Sequence, residues 1–190
     1  IDISALRTEA EAEAREGRTP VYLARSGTLV ALMAIADPVK PGAAETVKAI
    51  RALGADVAMI SGDTQTTAEA VARGLGIGTV IAGVLPEGKV EAVAALKTTG
   101  AVAFVGDGIN DAPALAAADV GLAIGSGTDV AIEAAEVVLM GADPEGAVRA
   151  LRISRAVMRN IRENLFWAFA YNVALIPVAR RSSRPVRALQ

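Results

Sequence analysis

Two carboxylates, Asp107 and Asp111, stand four residues apart in the string VGDGINDAPAL, with Asn110 between them. The chain has no histidine and no cysteine. A site here must therefore work with carboxylates, hydroxyls, lysines and backbone. Oxygen donors of that kind suit hard Mg²⁺ and the phosphate groups it accompanies. The glycines at 106 and 108 are expected to let the backbone turn sharply, so that both acids reach one ion and Asn110 supplies or orients a neutral ligand. A lone Gly-Asp-Gly reads as a turn; the Asn-Asp pair and the helix that follows have no use in a turn.

Two further groups have the chemistry to complete such a site. Ser61, Gly62 and Asp63 follow the apolar run ADVAMI. A hydroxyl and free amides at a helix start make an anion site, although the same SGDT string makes an equally good helix cap. Lys89, in LPEGK, opens a helix and offers a cation to a phosphoryl group, although alone it reads as an exposed lysine.

The elements that must position these groups follow from the alternation along the chain. Helix is expected over 4–15, with Ser4 as its N-cap and Gly17 past its end. Strand-like PVYLA and TLVALMAIA come next, the second ending at Asp37, and the segment DPVKP opens a helix closed by Gly54. Continuously apolar strands then alternate with helices, with strands at ADVAMI, TVIAGV, AVAFV, DVGLAI and EVVLM. This predicts an α/β fold, a parallel Rossmann-like sheet with helices on both faces. Ligands of such sheets sit at the strand C-termini. Asp37, Ser61 to Asp63 and Asp107 all fall there and are expected on one rim.

With 190 residues and 53% apolar content, the chain has ample core for one domain and an appendage. Its net charge of −2 offers no general attraction to nucleic acid. It has no initiator methionine and no signal-like or transit-like start, and both ends are expected to be cut. From Arg149 the character changes. Arg149, Arg152, Arg155, Arg159 and Arg162 recur at three- and four-residue spacing, one basic stripe of a long helix. That helix runs into the apolar NLFWAFAYNVALIPVA, as at the cytoplasmic side of a membrane. The apolar run is shorter than the ~20 residues of a full span, so it is read as half of a transmembrane helix; a buried terminal helix is the alternative.

The assembled pieces resemble the haloacid dehalogenase superfamily and, within it, the P-type ATPases that transport heavy metals. The strings that carry the resemblance are ADPVKP, MISGDTQTTAEAVARGLGI, LPEGK, VGDGINDAPALAAADVGLAIGSGTDVAIEAAEVVLM and MRNIRENLFWAFAYNVALIPVA. The resemblance implies that Asp107, Asn110 and Asp111 hold Mg²⁺. It implies that Ser61, Gly62 and Asp63 bind the transferred phosphoryl group and the nucleotide side, with serine in place of the family's threonine. Lys89 then stabilises phosphoryl charge, and Asp37 and Lys40 belong to the hinge beside the nucleotide-binding domain. Tyr171 and Asn172 resemble the copper subgroup's transmembrane metal site, where zinc relatives tend to carry a lysine. ATP is the implied cosubstrate and Cu⁺ the implied cargo. Membrane lipid and the remaining pump domains are the implied partners, with no nucleic acid.

The family's phosphorylated aspartate, in Asp-Lys-Thr-Gly-Thr, does not occur here, and Asp37 is followed by proline. The reading is therefore a C-terminal piece of a copper-exporting pump at the plasma membrane, its α/β domain cytoplasmic, inactive alone. Residues 1–33 would be the tail of the nucleotide-binding domain and 34–148 the phosphorylation domain. The stalk and partial transmembrane helix would be 149–179, and 180–190 an atypical tail. A soluble phosphatase of the same superfamily, or a non-catalytic Mg²⁺- or nucleotide-binding module, are the alternatives.

Overall fold

The structure is a computed structural model that describes residues 1–125, 128–141 and 143–182. It divides into two units, Ile1–Val148 and Arg149–Gln190. Of the atypical tail expected at 180–190, residues 183–190 lie outside the described residues.

The first unit begins with a 3-10 turn, Ser4–Leu6, that leads into α1 (Arg7–Arg15). Ser4 is not the cap expected of it. The carboxylate of Asp2 accepts the Ser4 N–H at 2.9 Å instead, two residues upstream of where the helix signal pointed. Strands β1 (Thr19–Arg25) and β2 (Thr28–Ile35) form an antiparallel hairpin of their own, with Ser26 and Gly27 at positive φ in its tight turn. The next helix, α2 (Ala43–Ala52), starts at Gly42, a left-handed residue, so the Pro38 to Pro41 segment lies outside it rather than opening it.

The remaining elements alternate as expected: β3 (Ala58–Ile60), α3 (Gln65–Leu75), β4 (Thr79–Ile81), α4 (Pro86–Lys97), β5 (Ala103–Gly106), a 3-10 turn at Ile109–Asp111, α5 (Ala112–Ala117), β6 (Val120–Ile124), α6 (Asp129–Glu133) and β7 (Val137–Leu139). All their pairings are parallel, but they fall into two sheets, β3-β4 and β5-β6-β7. β3 and β5 thus each keep one edge without a strand partner among the described residues.

A shared layer of helix nonetheless covers both. Ile60 of β3 and Phe104 of β5 pack against one buried cluster, Val93 of α4 with Ala114 and Ala118. A second cluster, Leu115, Ala123 and Ala131, joins α5 and α6 to β6. Close packing on this face depends on Gly121, where a Cβ would stand 2.8 Å from the Leu115 carbonyl oxygen. Ile124, beside Leu139 in the ladder, points to the other face. There the start of α7 (Glu145–Ser182) lies close, with Gly146 against the Leu139 side chain. The sheet thus carries α5 and α6 on one face and the start of α7 beside β7 on the other, where Val105 of β5 and Val120 of β6 remain 45% and 40% exposed.

The second unit is the continuation of α7, one helix through Ser182 with Pro177 inside it. Among the described residues, no helix is long and apolar enough to cross a membrane.

Candidate functional site

Two clusters form at strand ends, each built by short-range hydrogen bonds within its turn and one bond from a distant side chain. At the end of β3, the Ser61 N–H continues the ladder to the Ile81 carbonyl at 2.9 Å. The Ser61 hydroxyl donates to the Asp63 carboxylate at 2.9 Å and accepts the Asp63 N–H at 3.1 Å. The other carboxylate oxygen of Asp63 accepts from the Thr19 hydroxyl at 3.2 Å. Val84 and Gly83 donate their N–H groups to the Ser61 and Asp63 carbonyls, which ties the loop before α4 to this turn. The helix cap is Thr64, whose hydroxyl oxygen accepts the Thr67 N–H. Ser61 and Asp63 are thus not spent on capping, the bland alternative for this string. Gly62 and Asp63 are exposed and Ser61 half-buried.

The second cluster surrounds Asp111, only 9% exposed. Lys89 reaches it from the first turn of α4, Nζ to Oδ1 at 2.6 Å, with both side chains largely shielded from water. Oδ2 accepts the N–H groups of Asp107 and Gly108 at 3.4 and 3.3 Å. Asp111 is therefore a brace that joins α4 to the turn after β5, and Lys89 is not the exposed lysine it would be alone. Gly106 is needed for a reason other than turning. Neither it nor Gly108 has positive φ; a Cβ on Gly106 would stand 2.7 Å from the Cβ of Asp111. Asp107 and Asn110 are exposed, and the Asp107 carboxylate has no hydrogen-bond or ion-pair partner among the described residues. The Asp107 carbonyl accepts the Thr128 N–H at 3.1 Å, while the Thr128 hydroxyl caps α6.

Among the described residues, no hydrogen bond or ion pair joins these two clusters, and none gathers three acidic side chains around a metal position. Asp37 and Lys40 stand in a cleft of about 440 Å³ with Glu16, Gly17 and Arg18, which none of the other candidate residues lines. In the second unit, Tyr171 and Asn172 are exposed on α7, and the Asn172 amide donates to the Ala168 carbonyl one turn back at 2.8 Å. Thr19 and Thr128 were not anticipated. Thr128 carried a legible signal, a hydroxyl just before a helix; Thr19 carried none, because its partner is 44 residues away.

Comparison with known proteins supplies the context for this geometry. A family model described as haloacid dehalogenase-like hydrolase matches residues 3–119. The chain is 56% identical over 187 residues to a copper-transporting ATPase 2 of Rhizobium meliloti, covering 98% of this chain and 23% of that protein. It is 53% identical over 172 residues to a silver exporting P-type ATPase of Salmonella typhimurium, covering 90% and 21%. Among solved structures, a zinc-transporting PIB-type ATPase in its E2.Pi state superposes with a TM-score of 0.81 at 34% identity, over 96% of this chain and 30% of that one. The chain spans less than a quarter of the length of the copper-transporting relatives it matches.

Proposed function

Because the chain belongs to the haloacid dehalogenase-like hydrolases, we propose that it supplies one half of the aspartyl-phosphate site of an ATP-driven heavy-metal export pump, with Cu⁺ as cargo. The observation that carries this reading is the 56% identity to a copper-transporting ATPase across nearly the whole chain. The two clusters support it, since each sits where a parallel strand ends, the usual ligand position in such sheets.

In this reading Ser61, Gly62 and Asp63 receive the transferred phosphoryl group. Ser61 is able to turn its hydroxyl from Asp63 to a phosphoryl oxygen without uncapping α3. Lys89 offsets phosphoryl charge, and Asp111 holds it at the height of the rim. The donor set fits Mg²⁺: hard oxygens only, with the Asp107 carboxylate exposed and unengaged. Asp107, Asn110 and Asp111 would hold the ion: Asp111 Oδ2 already accepts two amides, whereas Oδ1 accepts only from Lys89 and keeps a lone pair for it. When bound, Mg²⁺ supplies positive charge against the phosphoryl oxygens. Asp37 and Lys40 serve the nucleotide side as a hinge, and Tyr171 and Asn172 the metal path through a membrane.

The nucleophilic aspartate would come from another part of the pump. β3 and β5, the strands that end in Ser61 and Asp107, have open edges under one helix layer. A further parallel strand that paired with both open edges would carry an aspartate at its end to both clusters.

A hybrid pump tests the reading. Residues 1–179 replace the matching part of the Rhizobium meliloti copper-transporting ATPase, and ATP hydrolysis by membranes is measured with each metal. Cu⁺-stimulated hydrolysis that Asp107→Asn abolishes is expected. Stimulation by Zn²⁺ alone would overturn the cargo assignment, and a well-expressed but inert hybrid would overturn the pump reading.

A further inference from the structure

Residues 149–176 are continuous helix, and their pattern asks for more than an apolar environment. At 3.6 residues per turn, Arg152, Arg155, Arg159 and Arg162 fall within an arc of roughly 80°, with Arg149 beside it. The opposite side carries Ile153, Val157, Ile161 and Leu165, which are 49 to 64% exposed. After Arg162, the last arginine of the stripe, come Phe166, Trp167 and Phe169, three of the chain's six aromatic residues and each about two-thirds exposed. Among these 28 positions the single acid is Glu163.

A merely solvated face accounts for the arginines but leaves the apolar side and the aromatic group exposed without reason. A nucleic acid would meet the arginines and ignore the apolar side. An anionic lipid surface satisfies all three features. Arginine forks bind phosphate oxygens with two hydrogen bonds each, aromatic rings settle at headgroup depth, and the apolar side enters the acyl boundary.

We propose that this segment binds anionic phospholipid, with Arg152, Arg159 and Arg162 as the principal headgroup contacts. The proposal deepens the membrane placement given above and rests on it, since it names which lipid the segment selects.

Flotation of the full chain with vesicles tests it, using phosphatidylcholine alone and phosphatidylcholine with 30 mol% phosphatidylglycerol, roughly the charge of an anionic leaflet. Binding on the order of tenfold tighter to the charged vesicles is expected, falling as salt rises. The triple change Arg152→Gln, Arg159→Gln and Arg162→Gln, at exposed helix positions where glutamine is a good helix former, should remove that preference while circular dichroism stays unchanged. Equal binding to both vesicles would overturn the headgroup selection and leave the membrane placement standing. Binding to neither would overturn both. Displacement by millimolar inorganic phosphate would show a small-anion site instead, and equal affinity for single-stranded DNA of matched charge a general polyanion surface. Either result overturns the proposal.

Discussion

The site's least replaceable residue is one without a side chain. Gly106 leaves the space in which Asp111 tucks beneath the turn, and every bond from Asp111 to Lys89, Asp107 and Gly108 depends on that position. Gly106→Ala should therefore destabilise the domain by about 1–3 kcal/mol, the range for overpacking a tight position. Gly108→Ala, whose Cβ would come no nearer than 3.6 Å to Asp111, should cost clearly less. Urea denaturation followed by circular dichroism compares them, and equal losses would show that crowding of Asp111 is not what makes Gly106 necessary. At this scale the sequence was informative about chemistry and poor about contact. The spacing of Asp107, Asn110 and Asp111 leads one to expect both carboxylates at one ion, but the same side-chain type turns outward at 107 and inward at 111. What separates them is Lys89, which reaches only the second of them from 22 residues away.

Among the elements, local signals read well and pairings did not. Apolar runs, glycine stops and the Pro86 helix start were visible because each is decided within a few residues. That β1 and β2 pair with each other, and that β3 and β5 lie in separate sheets, is decided by strand pairing across the chain and leaves no local trace. Asp119 shows how such distant elements are pinned. Its carboxylate accepts the Val102 N–H at 2.8 Å and pairs with Lys97 at 3.0 Å, joining the end of α4, the lead into β5 and the start of β6. The Val102 N–H first, and the hydrogen bond from Lys97 next, hold its carboxyl below the ordinary carboxylate range. Because the folded value is the lower one, this contribution is present above the ordinary range, near pH 4. It is lost as pH falls through the folded value. Asp119→Asn should thus melt below the parent at pH 7, with the difference closing under about pH 4. A difference that persists unchanged to pH 2 would mean that the charge on Asp119 contributes nothing.

For the whole molecule, the question is whether these residues can turn over phosphate by themselves. In the proposed site Ser61, Lys89 and Asp107 would receive, balance and orient a phosphoryl group, and none of them carries a neighbouring base that would make it a nucleophile. Phosphoryl transfer through an aspartyl intermediate needs a carboxylate in line with the phosphorus, and no aspartate of this chain stands in an Asp-Lys-Thr-Gly-Thr string. Asp37, at the end of β2, is the nearest substitute by position. It lies with Lys40 in the cleft lined by Glu16 and Arg18 rather than with Ser61 or Asp107, and β2 belongs to the hairpin, not to either parallel sheet. The full 190-residue chain, given ATP and Mg²⁺, should therefore form no acid-stable phosphoenzyme and release no phosphate above an Asp107→Ala control. Labelled ATP followed by acid precipitation measures the first and a phosphate assay the second. Incorporation of label that Asp37→Asn abolishes would identify a nucleophile within the chain and turn the reading from half of a site into a complete phosphatase.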